Sequence, residues 1–117
     1  MILVIGGAAS GKRAYVENTL GYAASDMSSG AIDSRPVVMN LESLVASAPG
    51  QYPDLLPRLL TKEVVACNET GSGIVPVDAA RRAASEETGR LCILLAEKAE
   101  KVVRLVCGIP IVIKGQG

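Results

Sequence analysis

The sequence predicts an α/β fold: a mostly parallel β-sheet with helices on both faces and an antiparallel edge at its C-terminal end. Three observations predict it. Short apolar runs rich in Ile, Val and Leu recur at 2–5, 37–39, 64–67, 102–107 and 109–113. Stretches with helical periodicity lie between most of them, the alternation that marks strand–helix–strand units. The last two runs are parted by Gly108 alone, a spacing that fits an antiparallel turn or a sharp bend at a sheet edge.

The elements follow in order. Residues 2–5 read as a fully buried strand. Residues 12–20 read as a helix, with Val16 and Leu20 on one face and Gly21 as its C-cap. Residues 21–36 are small and polar without periodicity, so a lid or a disordered connection is expected. Val37–Met39 is the second strand, ending at Asn40. A helix around Leu41–Ala48 is closed by Pro49-Gly50. Pro53 suits a first helical turn, and Leu55, Leu56, Leu59 and Leu60 form its apolar stripe. Pro57 inside that stripe makes the element short or kinked. Val64–Cys67 is the third buried strand. After the loop 68–76, residues 77–101 carry helical periodicity, clearest at Leu91, Leu94, Leu95 and Ala99, with Glu86–Arg90 and Glu97–Lys101 as i,i+4 pairs.

The first strand runs into Gly6-Gly7-Ala8-Ala9-Ser10-Gly11-Lys12, which matches the phosphate-binding loop pattern G-x-x-x-x-G-K in its required strand–turn–helix context. Glycines let such a backbone curl until its N–H groups converge on a phosphate. The following helix start and the Lys12 charge add to that attraction. The sheet is therefore expected to be P-loop NTPase-like, with Gly6, Gly7, Ala8, Ala9, Ser10, Gly11, Lys12 and Arg13 binding nucleotide. The residue after the lysine is normally a Ser or Thr that ligates magnesium, and here it is Arg13. In such folds ligands bind at the carboxyl ends of the strands. That rim gathers the loop 6–12, Asn40 and Asn68-Glu69.

Composition narrows the chemistry. The chain has 117 residues, read as one domain over 1–117, with 12 basic and 12 acidic residues and zero net charge. Nothing in that balance suggests nucleic acid or an anionic membrane. No signal peptide or membrane span is recognisable, so a cytoplasmic location is expected. Phe and Trp are absent, leaving Tyr15, Tyr22 and Tyr52 as the aromatics; Tyr15 and Tyr22 read as core or surface residues rather than base-stacking ones. Cys67, Cys92 and Cys107 form neither a disulfide framework nor a zinc pattern, and Cys67 and Cys107 read as buried thiols. Histidine is absent, which removes any histidine nucleophile, ligand or nucleotidylated intermediate.

Several segments together resemble the adenosylcobinamide kinase/adenosylcobinamide-phosphate guanylyltransferase family. They are the opening Met1–Lys12, the signature Asn68-Glu69-Thr70-Gly71-Ser72-Gly73-Ile74-Val75-Pro76, Arg82, Gly89-Arg90, and Gly108-Ile109-Pro110 with Lys114. The match covers residues 1–20 and about 62–114 well and the middle poorly. The resemblance implies a kinase of the corrinoid's aminopropanol hydroxyl using ATP or GTP, corrinoid and nucleotide as small-molecule partners, and a homo-oligomer. It also implies GMP transfer through a guanylylated histidine, a route this histidine-free chain lacks. Other departures are Arg13 for Ser, Ala9 for Arg, Asn40 for an acid, Ser85 for Arg and Cys92 for Asn.

On these residues Lys12 and Glu69 are the catalytic candidates. Glu69 either serves the reaction, through a metal-bound water or as acceptor of the substrate proton, or caps the amides of 70–73. Asn68, Gly71, Gly73, Arg82 and Arg90 are candidates for holding substrate or phosphate, and the two arginines equally suit a solvated helix face. Arg13 either sets a guanidinium by the phosphates or points to solvent. Magnesium binding is possible, but its usual ligands are missing, so the metal ligands are not assigned. Asp33 and Glu42 read as solvated, with Glu42 near enough to Asn40 to replace the lost acid. The leading functional expectation is phosphorylation of adenosylcobinamide in cobalamin biosynthesis or salvage. The alternative is a catalytically reduced nucleotide- or corrinoid-binding module acting with a partner.

Overall fold

The computed structural model describes residues 1–69 and 78–116. Its strands are β1 (Ile2–Gly6), β2 (Met27–Ser29), β3 (Val37–Met39), β4 (Val64–Asn68), β5 (Lys101–Val106) and β6 (Ile109–Lys114). Its helices are α1 (Lys12–Ala14), which runs on as a π-helical turn Tyr15–Thr19, α2 (Leu41–Ser47), α3 (Tyr52–Leu60) and α4 (Ala79–Lys98). One sheet holds all six strands in the order β2-β3-β4-β1-β5-β6. Every pairing is parallel except β5–β6. The expected mixed α/β architecture, antiparallel edge included, is present.

Successive side chains of a strand point to opposite faces, and the core divides on that period. Leu3, Val65, Cys67 and Val102 pack under α2, α3 and α4, against Leu41, Val45, Leu55, Leu59, Leu91 and Leu95. Val4, Val64, Ala66, Val103 and Leu105 face the other way, against Tyr15 and Val16. The central strands are buried on both sides, which explains why they read as continuous apolar runs. Leu and Val fill the volume that aromatic residues usually take.

α3 is an unbroken nine-residue helix despite Pro57. The helix after β4 is shorter than its periodicity suggested. Asp78 caps it through bonds to the amides of Ala80 and Arg81, and Lys101 belongs to β5. Glu97 and Lys101 are therefore not a helical pair.

Residues 21–36 are not an unstructured lid. They contain a 3-10 turn Ala24–Asp26 and the edge strand β2, parallel to β3. What the polarity of this segment concealed is that its polar groups bond within the protein. Buried Ser28 donates to the carbonyls of Ala31 and Val37 at 2.8 and 3.1 Å. The Tyr22 hydroxyl donates to Glu63 at 2.7 Å, and burial together with that bond pushes the phenol up to about 12. Lys62 ties down the carbonyls of Asp33 and Arg35. The Arg35 guanidinium holds the Asp33 carboxyl down at about 2.

Cys107 is also corrected. It is exposed, with φ 50°, and with Gly108 at φ 78° it makes the two-residue turn of the β5–β6 hairpin. Two positive φ values are what such a turn needs to follow the strand twist. Cys67 is buried as expected.

Candidate nucleotide site

The parallel register brings strand ends together. Gly6 of β1 lies opposite Asn68 of β4 and Leu105 of β5. β1 links forward to β2 on one side of the sheet, while β4 crosses over it to β5, so the crevice at the end of β1 is a switch point. A cleft of about 420 Å³ opens there, lined by residues 8–14 of the loop and α1, with Met39, Asn40 and Asn68.

The loop is curled rather than extended. Ser10 N–H donates to Gly7 O at 3.2 Å, and Ala9 and Gly11 both have positive φ. Two of its glycines are sterically required. A Cβ on Gly6 would stand 2.3 Å from Ser10 Oγ and 2.8 Å from Leu105 O. One on Gly11, at φ 97°, would stand 3.1 Å from Gly108 Cα. Gly7 meets nothing within 4 Å. The hairpin turn supports the loop from below, with Gly108 N–H donating to Ser10 O at 2.8 Å. Gly6→Ala is expected to destabilise the protein by about 1–3 kcal/mol, the usual cost of overpacking, and to remove phosphate binding with it. Gly7→Ala should change the melting temperature little, which paired thermal melts would check.

Lys12 is buried at 8 % exposure and donates to Gly7 O at 2.7 Å and Gly6 O at 3.3 Å. Burial lowers its pKa, opposed by the carboxylates of Glu42 and Glu69. Arg13 borders the cleft from the first turn of α1. It is exposed and pairs with Glu17 at 2.8 Å, one helical turn on. Ser10 Oγ is buried and has no hydrogen-bond partner among the described residues.

Glu69 reaches the rim as expected, and its N–H donates to Gly6 O at 2.8 Å. Its carboxylate is gripped by Arg104 of β5, Nε to Oε1 at 2.5 Å and Nη2 to Oε2 at 3.2 Å. That pairing raises the Arg104 pKa. Sequence reading missed Arg104 because it lies inside the apolar run 102–107, which reads only as strand. The solvated reading of Glu42 is corrected. Glu42 is half-buried, and Oε1 accepts the Asn68 N–H at 3.0 Å. Arg82 and Arg90 lie exposed on α4, and neither is among the described residues lining the cleft. Gly71 and Gly73, with the rest of 70–77, lie outside the described residues. Among the described residues no three His, Cys, Asp or Glu side chains converge to hold a metal by themselves.

Residues 40–113 match the sequence profile of the cobinamide kinase / cobinamide phosphate guanyltransferase family, well over half of the chain. The chain belongs to that family. No individual curated protein matches it. The match takes in the middle segment 40–61, which the resemblance covers poorly, and Asn68-Glu69. It starts after the loop 6–13, whose reading rests on its geometry. Membership of the cobinamide kinase / guanyltransferase family places the chain in cobalamin biosynthesis, with nucleotides and corrinoids as the small molecules handled. No helix among the described residues is long and apolar enough to cross a membrane.

Proposed function

We propose that residues 1–117 work as one nucleotide-binding domain that transfers the terminal phosphoryl group of ATP or GTP to the hydroxyl of adenosylcobinamide, without histidine-dependent guanylyl transfer. The observation that carries this reading is the curled loop 6–11 with buried Lys12 at the end of β1, in a chain of this family that has no histidine.

The loop amides and Lys12 hold the phosphates, and Asn40 and Asn68 border the same cleft. Phosphoryl transfer depends on positioning and on neutralising charge. Magnesium accompanying the nucleotide would add positive charge to that supplied by Lys12 and the loop amides. The substrate hydroxyl oxygen forms a bond to the γ-phosphorus as the bridging oxygen leaves with the nucleoside diphosphate, and Glu69 accepts the hydroxyl proton. Arg104 occupies one lone pair on each Glu69 oxygen and leaves the others open for that proton.

The test is incubation with γ-labelled ATP or GTP and adenosylcobinamide. Labelled adenosylcobinamide phosphate is expected, and GTP labelled in its α-phosphate should give no acid-labile nucleotide–protein adduct. Nucleotide binding without transfer to any corrinoid would favour the binding-module alternative. An acid-stable adduct would point to a lysine intermediate.

A further inference from the structure

Glu42 stands two residues past β3, in the first turn of α2, and its side chain crosses to the neighbouring strand end. Oε1 accepts the Asn68 N–H at 3.0 Å. Oε2 has no partner among the described residues. Each Glu69 oxygen takes one bond from Arg104 and keeps its remaining lone pair for the substrate proton, and Glu17 pairs with Arg13. Glu42 is the acid beside this rim with an oxygen that carries no partner among the described residues, and its charge is felt by Lys12.

The neighbouring donors are hard oxygens. Asn40 borders the cleft and spends its amide N–H on Ser29 Oγ at 2.6 Å, which leaves its carbonyl oxygen. Such a set suits magnesium, which takes one or two protein carboxylates and completes its shell with phosphates and water. The two positions that usually serve such a loop hold Arg13 and Asn40, an ion-paired cation and a neutral amide.

We propose that the free oxygen of Glu42 is the protein carboxylate that holds the divalent cation accompanying the bound nucleotide phosphates. The inference rests on the phosphate-binding reading of loop 6–13. It moves the acidic ligand from the strand end to the following helix. Asn68, which lines the cleft, steers Glu42 by fixing Oε1 and leaves Oε2 for the ion.

The experiment is calorimetric titration of the full chain with ATP and with GTP, in excess magnesium and in EDTA. For wild type, magnesium should tighten binding by about 5–150-fold, the usual range of coupling between two ligands. Glu42→Gln keeps an acceptor for the Asn68 N–H, so its melting temperature should hold. Its affinity should be nearly the same with and without magnesium. In EDTA it should exceed wild type, because a carboxylate that repels phosphate has gone. Adding Asn40→Asp to Glu42→Gln should restore the magnesium dependence, which keeps the test valid if the single variant folds poorly. Manganese relaxation of solvent water gives a second readout, with the enhancement by the nucleotide complex lost in Glu42→Gln. A Glu42→Gln protein that keeps wild-type magnesium dependence overturns the proposal, as does a wild type with none. Absence of all nucleotide binding overturns instead the reading of the loop on which it rests.

Discussion

Replacing Lys12 with methionine is expected to weaken ATP and GTP binding by about 10- to 150-fold, the equivalent of the ~1.5–3 kcal/mol typical of a hydrogen bond to a charged group. The melting temperature should meanwhile hold or rise. Lys12 is buried at 8 % exposure, and in the free protein its ammonium is bonded to the carbonyls of Gly6 and Gly7. Burial lowers its pKa. The sign follows from linkage. The native state holds this proton less firmly than the unfolded chain does, so the charged lysine opposes folding, and stability gains as pH rises and the proton leaves. Methionine keeps much of the apolar length and removes that cost. A loss of binding without a loss of stability is the mark of a residue kept for its ligand. Lys12→Arg should not rescue binding, because a planar guanidinium does not fit a cavity shaped for an ammonium tied to two carbonyls. Nucleotide titrations beside thermal melts check both halves. Wild-type affinity in the methionine variant would mean that phosphate does not bind at this loop.

The strand runs were legible because the sheet is buried on both faces, so each central strand reads as unbroken Val, Leu and Ile. The loop was legible because its glycine and lysine spacing follows a strand and precedes a helix start, all within twelve residues. What could not be read depends on contacts distant in sequence. β2 is three residues long and lies between polar turns, and it becomes a strand because β3 offers it an edge. Gly108 supports the phosphate loop from nearly a hundred residues away along the chain. Cys107 sits at the tip of the turn that does so, and an apolar run gives no sign that its last member has left the sheet. The sequence places Glu42 beside Asn40, but only the packing of α2 beside β4 sets its carboxylate on the Asn68 amide. Arg104 pairs with Glu69 across 35 positions, beyond the reach of any local pattern.

That last pair sets the sharpest test of the chemistry. Glu69→Gln is expected to leave nucleotide affinity within about threefold of wild type while lowering the rate of cobinamide phosphorylation by about 10²–10⁴, the range for loss of a general base. The carboxylate is 19 % exposed and its guanidinium partner 45 %. An ion pair so open to water contributes at most about 1 kcal/mol, so the stability loss should be small. Glutamine keeps an oxygen for Arg104 but has much less affinity for the substrate proton. Arg104→Met should also slow transfer, by freeing the carboxylate to swing from its place, and raising the pH should not restore it. The decisive variant exchanges the two residues, Glu69→Arg with Arg104→Glu. If the pair only braces β4 against β5, the exchange restores melting temperature and activity together. If Glu69 is the proton acceptor, the exchange restores the melting temperature alone, because the carboxylate then projects from β5 and no longer from the residue whose amide is bonded to Gly6 of the phosphate loop.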